Sequence, residues 1–147
     1  MAKVMHRVGV DGPIEKIFEV ITTDEGFAGW WATSAKITAE VGGRIELTFD
    51  DLTVLKFEYK DIQKNKLVEI QCVGGAGPWQ GSKLLFELEQ ADDQVFVTLT
   101  HQNDVSSERD FLYFSTKWPC YLLSLRDFVE TGKGRPYPDD VKIHVGD

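Results

Sequence analysis

One stretch of this chain constrains its fold more than any other. Between Ser107 and Gly134, Phe111, Phe114, Trp118, Tyr121, Leu122, Leu125 and Phe128 recur at steps of three and four residues. That spacing puts them on one stripe of a helix with 3.6 residues per turn, and a stripe of such large side chains needs a partner surface to bury it. Ser106 or Ser107 can accept hydrogen bonds from the free first-turn N–H groups, and Glu108 and Asp110 set negative charge at the positive end of the helix dipole. Gly132 suits the left-handed residue that stops a helix, and Pro136 and Pro138 prevent its resumption. Pro119 breaks the pattern. An interior proline removes one backbone hydrogen bond and costs roughly 3 kcal/mol, which predicts a kink or a fresh helix start beside Trp118.

The segments before it read as strands and short helices. Val4, Val8 and Val10 share one parity against Lys3, Met5, Arg7 and Gly9, as in a half-buried strand. Asp11-Gly12-Pro13 ends it, and Ile14, Ile17, Phe18 and Ile21 form a helical stripe reaching about Thr22. Thr23-Asp24-Glu25 then caps a second, shorter helix that ends near Gly29, Trp30 and Trp31. Alternation follows: Ile45, Leu47 and Phe49, a turn at Asp50-Asp51, then Leu55, Phe57 and Tyr59, which pair as a hairpin. Leu67 to Val73, then Leu84, Phe86 and Leu88, then Val95, Val97, Leu99 and His101 continue the series. A twisted antiparallel sheet with one apolar face needs a cover, and the terminal helix is the one element long enough to supply it. The expected architecture is α+β: a curved antiparallel sheet of about six to seven strands wrapped around a long C-terminal helix, with two short helices after the first strand.

A length of 147 residues suits one domain spanning the chain, with residues 136–147 as a loosely held tail. The net charge of -8 disfavours nucleic acid and anionic membranes, whose binding relies on clustered Lys and Arg. No apolar run approaches the ~20 residues of a membrane span, and no signal-peptide pattern is found at the N-terminus. Cys72 and Cys120 are isolated, without metal-ligand spacing, so two reduced thiols in the cytoplasm are expected.

The order of elements and several local sequences resemble the START-like helix-grip (SRPBCC) superfamily, and within it the family similar to the C-terminal domain of the activator of the ninety-kilodalton heat-shock chaperone ATPase. The matching pieces are Val10-Asp11-Gly12-Pro13-Ile14-Glu15-Lys16-Ile17-Phe18, Trp30-Trp31, Val41-Gly42-Gly43-Arg44, Val97-Thr98-Leu99-Thr100-His101, and Trp118 with Tyr121-Leu122 and Leu125. The resemblance implies a hydrophobic cavity between sheet and long helix, in a family of both ligand-binding proteins and chaperone regulators. Full chaperone activators carry a further N-terminal domain for which this chain has no room.

The candidate lining of such a cavity is Phe49, Phe57, Trp79 and Phe86 against Phe114, Trp118, Tyr121, Leu122 and Leu125, joined by Trp30, Trp31 and His101. Aromatic residues make up 12% of the chain, and large rings on both layers either fill the core or hold the layers apart around a pocket. Trp30 and Trp31 are neighbours, so in extended or turn geometry they cannot both face one core. Either one stands at a cavity mouth, or one is core and the other a surface patch. His101 shares the inward parity of Val97 and Leu99; it is either a satisfied core histidine or the polar end of the pocket, and a general-base role would need a carboxylate or Tyr beside it. Glu46, Glu58 and Glu87 fall on the polar parity of the strands, where a solvated face is expected. His6 and His144 lie far from His101 in sequence, and no metal site is expected. Gly74-Gly75-Ala76-Gly77-Pro78 lacks the following helix and the Gly-Lys-Ser/Thr of a nucleotide loop, and suits a mobile loop at the cavity entrance. No cofactor is implied. The function expected is non-catalytic binding of a small hydrophobic or aromatic ligand. The alternative is an interaction module that regulates a heat-shock chaperone ATPase, with that chaperone as partner.

Overall fold

A computed structural model describes residues 2–75 and 77–147 of the chain. Strand β1 (Ala2–Val10) leads into helices α1 (Ile14–Glu19) and α2 (Asp24–Trp30). Strands β2 (Ser34–Ile37), β3 (Arg44–Phe49), β4 (Thr53–Gln63), β5 (Leu67–Gly74), β6 (Lys83–Gln90) and β7 (Val95–Asn103) follow, with a short 3-10 helix at Gly77–Trp79. Helix α3 (Glu108–Thr131) comes last. The strands form one seven-stranded sheet in the order β1-β7-β6-β5-β4-β3-β2. Every pairing is antiparallel, so β2 to β7 run as a meander and β1 closes against β7 in full register from Ala2↔Asn103 to Val10↔Val95.

Period-two alternation decides which face of the sheet is inside. Ile45 and Leu47, Phe57 and Tyr59, Val68 and Ile70, Leu84 and Phe86, and Val97 and Leu99 are fully buried. Most of their neighbours on the other face are polar, with Leu85 and Phe96 among the exceptions, and Glu46 and Glu87 are exposed. Arg44 stands opposite Glu58 there, 3.9 Å apart. The helix-grip architecture anticipated from the sequence is therefore the one observed, with α3 covering the apolar face.

Helix α3 begins where its sequence predicts. Ser107 Oγ accepts from the Asp110 N–H at 3.2 Å. At the other end Gly132 takes φ 80°, the left-handed region, and its N–H donates to the Phe128 carbonyl at 2.9 Å. The helix runs unbroken through Pro119, with no fresh start. Packing explains this, since Trp118, Tyr121, Leu122 and Leu125 flank the proline and are all buried. Burying one Trp alone contributes roughly 4 to 6 kcal/mol, more than the roughly 3 kcal/mol an interior proline costs.

Four local features differ from the sequence reading. Helix α1 stops at Glu19 rather than near Thr22, because the chain tightens into three-residue turns, with Ile21 N–H donating to Phe18 O and Thr22 N–H to Glu19 O. Strand β2 was not anticipated; of its four residues only Ala35 and Ile37 turn partly inward. Trp30 and Trp31 are both buried in one core. The tail is also tied down rather than loose: the Tyr137 N–H donates to the Trp31 carbonyl at 3.0 Å, and the Tyr137 ring packs edge-on against Phe49. Ala76, in the glycine-rich loop, lies outside the described residues.

Candidate functional site

Helix α2 places the two tryptophans. Thr23 caps it by accepting from the Gly26 N–H at 3.0 Å. Gly26 lets the helix sit directly on the preceding turn, since a Cβ there would lie 2.4 Å from Val20 Cα. The helix ends inside the protein, between sheet and α3, so consecutive side chains find apolar neighbours in different directions. Their rings stack on each other at 5.2 Å and 18°. Trp30 Nε1 donates to the Val20 carbonyl at 2.8 Å, and its own carbonyl accepts from Ser124 Oγ of α3 at 2.7 Å.

Trp31 is the centre of an aromatic cluster. Its ring centroid lies 5.2 to 6.3 Å from those of Phe27, Trp30, Phe49, Phe57, Trp79, Trp118 and Tyr121. Trp79 extends the cluster to His101 and Phe114, and Phe86 packs edge-on against Trp30 and Trp118. All the residues anticipated as cavity lining, Leu122 and Leu125 included, are thus buried together beneath α3.

They do not share one role in the packing. A cavity of about 80 Å³ is walled by Trp31, Phe49, Trp79 and Tyr121, together with Leu52, Thr53, Leu55, Tyr113, Tyr137, Asp140 and Asp147. Trp30, Phe57, Phe86, His101, Phe114, Trp118, Leu122 and Leu125 are packed around it without lining it. A second, open cleft of about 730 Å³ lies on the outer side of the cavity and borders Leu52, Thr53, Trp79, Tyr113 and Asp147 as well. Exposed Leu112 and Val145 line this cleft.

His101 is a satisfied core histidine. Trp118 Nε1 donates to its Nδ1 at 2.8 Å, and since an indole can only donate, the imidazole proton sits on Nε2, 2.8 Å from Ser82 Oγ. Ser82 Oγ also accepts from Asn103 Nδ2 at 2.9 Å. Burial lowers the His101 pKa to about 4, so the ring is neutral at pH 7. Both nitrogens are engaged, and neither faces a carboxylate or a tyrosine hydroxyl.

The polar side of the cavity comes from residues that the sequence reading did not single out. Lys117 is 1% exposed and pairs with Asp140 at 2.8 Å and Asp147 at 2.6 Å, while donating to the Val141 carbonyl at 2.6 Å. Lys142 also pairs with Asp140. Burial works to raise both carboxyls, but the hydrogen bonds and charge of Lys117, joined by Lys142 at Asp140 and by the Ile143 N–H at Asp147, together outweigh it, and both are held below the ordinary carboxylate range. Burial likewise works to lower Lys117, and its bonds to Asp140 and Asp147 hold it above the usual lysine value. The Tyr121 hydroxyl is pushed well up, first by burial and then by Tyr113 beside it. One signal for Lys117 was in the sequence: it sits three residues after Phe114 and four before Tyr121, on the buried stripe itself.

Among the described residues no group of three or more His, Cys, Asp or Glu side chains could hold a metal ion, and no helix is long and apolar enough to cross a membrane. The family described as Activator of Hsp90 ATPase homolog 1-like protein matches residues 11–130. The chain belongs to this family. The solution structure of the Aha1 dimer from Colwellia psychrerythraea shares 34% identity with it at a TM-score of 0.80, covering 91% of this chain and 100% of that one. A crystal structure from Staphylococcus saprophyticus, at 21% identity and a TM-score of 0.77, covers 90% of this chain and 95% of its own. One from Mesorhizobium loti, at 16% identity and a TM-score of 0.77, covers 88% and 97%; these last two show the fold alone. No curated protein matches the chain. In this Activator of Hsp90 ATPase homolog 1-like chain, the fold supports a ligand-binding or interaction module in general terms.

Proposed function

We propose that the chain binds a small apolar or aromatic molecule, without covalent chemistry, between its sheet and α3. The observation that carries this reading is the cavity of about 80 Å³ walled by Trp31, Phe49, Trp79 and Tyr121, next to a cleft of about 730 Å³. Pockets for drug-sized ligands span roughly 300 to 1,000 Å³, so the inner cavity suits a small group of atoms and the cleft suits the bulk of the molecule. A molecule that bridges them passes between Leu52, Thr53, Trp79, Tyr113 and Asp147, which border both. Burying ~300 Å² of apolar ligand surface gains roughly 7 kcal/mol before ordering costs, which sets the affinity at micromolar or weaker. The two free thiols, Cys72 and Cys120, suit a reducing cytoplasm. Titration with the neutral probe N-phenyl-1-naphthylamine tests the reading: its emission should rise while Trp fluorescence is quenched. A probe that stays dark up to its solubility limit, with no quenching by any lipid-like compound, overturns it.

The family match and the Aha1 neighbour favour a second reading, regulation of a heat-shock chaperone ATPase in the stress response. A contact patch at Trp30 or Trp31 does not serve it, because both rings are buried. The exposed apolar residues Leu52, Leu112 and Val145 around the cleft are the better candidate surface. Purified chaperone whose ATPase is unchanged by added protein, with no complex at high concentration, rejects this reading. The neighbour's dimeric state also makes self-association a proposal here, which sedimentation equilibrium measures directly.

A further inference from the structure

One donor in the cavity wall has no well-aligned acceptor among the described residues. Trp31 is 1% exposed and lines the cavity, yet its Nε1–H has no hydrogen-bond partner among the described residues. Trp30 and Trp118, buried beside it, do have partners, in the Val20 carbonyl and His101 Nδ1. The Trp31 indole approaches the Tyr121 hydroxyl closely enough to influence it, but not in hydrogen-bond geometry. An N–H withdrawn from water without an acceptor is unfavourable, and an oxygen brought in by a ligand relieves it.

The rest of the wall limits what that oxygen can belong to. Asp140 and Asp147 line the cavity, whereas Lys117, which pairs with both, does not. Inside the cavity an anion therefore faces carboxylates, although the outer cleft carries Arg109 as well as Asp110. Their oxygens are also occupied: those of Asp140 by Lys117 and Lys142, those of Asp147 by Lys117 and by the N–H groups of Ile143 and His144. A ligand hydroxyl would have to share a carboxylate oxygen that already accepts, while a carbonyl, which only accepts, has no proton to place.

We propose that the ligand is a neutral aromatic carbonyl compound, oriented by a hydrogen bond from Trp31 Nε1–H to its carbonyl oxygen. This rests on the ligand-binding reading above and specifies its chemical class. The carbonyl group enters the inner cavity and the ring occupies the cleft beyond Trp79 and Tyr113.

Three probes of one shape separate the alternatives: 2-acetylnaphthalene, 2-ethylnaphthalene and 2-naphthoate. Each is titrated into ¹⁵N-labelled protein, with affinity read by Trp quenching and the Trp31 indole followed by its ¹H–¹⁵N signal. The ketone is expected to bind about tenfold tighter than the ethyl compound, although the latter is the more apolar. The Trp31 indole proton should move downfield with the ketone alone, and the naphthoate should bind more weakly than the ketone. In Trp31→Phe the preference for the ketone should vanish; because that variant loses core packing, the indole signal of the unaltered protein stands as an independent measurement. Equal binding of ketone and ethyl compound with an unmoved indole proton overturns the inference and leaves apolar ligand binding intact. Tightest binding by the naphthoate also overturns it. Failure of all three to bind overturns the ligand-binding reading itself.

Discussion

Lowering the pH from 7 to 5 should act on this protein chiefly through His101. The ring is fully buried and neutral, with Nδ1 accepting from Trp118 and Nε2–H directed at Ser82 Oγ. Adding a proton to Nδ1 would set two N–H groups against each other in a site that water does not reach. The native pKa of about 4 is lower than the ordinary 6.5, so the unfolded chain takes up a proton between these values and the native one does not. Stability is therefore intact above about pH 6.5 and is lost progressively as the pH falls toward 4. Integrated over the full window the loss is about 3 kcal/mol, and about 2 kcal/mol of it is reached by pH 5. Urea unfolding followed by Trp fluorescence at the two pH values measures it. His101→Gln supplies the reference, because Gln can accept from Trp118 and donate to Ser82 yet does not titrate. All other titratable groups are common to both chains, so the difference in their pH dependence isolates His101. If the variant and the unaltered protein lose equal stability between pH 7 and 5, the assigned tautomer and the buried neutral histidine are wrong.

Lys117→Met leaves Asp147 without its cation and Asp140 with Lys142 alone, and removing one partner of a buried pair should cost about 3 kcal/mol, or roughly 10 °C in melting temperature. Hydrogen exchange should show the loss concentrated in residues 137–147; uniform protection there would contradict the anchoring. In the unaltered protein the anchor's contribution should be complete between about pH 4 and about pH 10: below that window the unfolded carboxyls take up protons before the depressed native ones do, and above it the unfolded lysine loses its proton before Lys117, which is held above its usual value. Ser124→Ala removes both the bond to the Trp30 carbonyl and the acceptor of the Arg135 N–H, and a chemical melt should register about 1 to 3 kcal/mol. Gly26→Ala forces a methyl against the Val20 backbone and should cost about 2 kcal/mol or more despite the better helix propensity of Ala; a stabilised variant would contradict the close approach.

The parts of the fold that were legible in sequence are those with a strong period. The 3.6-residue stripe of α3 and the alternation of β3 to β7 each repeat often enough to outweigh local exceptions such as Pro119. Strand β2 was hidden because two partly inward residues make no pattern. An extended or turn geometry would separate Trp30 from Trp31, whereas a helix end enclosed on several sides buries consecutive residues. The tail looked loose because its composition is polar and rich in turn residues. Its anchors are distant in sequence, with Lys117 reaching Asp147 across thirty residues. The cavity was the least legible feature, since the same aromatic residues can close a void or leave one, and the choice turns on packing at the scale of a methyl group.

The pairing of the first strand with the last also sets an order on folding. Strands β2 to β7 can zip together hairpin by hairpin, but β1 has no partner other than β7. Val10 leaves the ribosome 93 residues (103 minus 10) ahead of Asn103, the far end of that partner. At a synthesis rate of 5 to 20 residues per second, this leaves β1 waiting for about 5 to 20 s. During that interval Val4, Val8 and Val10 have neither a sheet nor α3 to cover them. Closure of β1 onto β7 is thus the strand pairing of highest contact order, and mutations in this strand should burden the newly made chain more than its native stability would suggest.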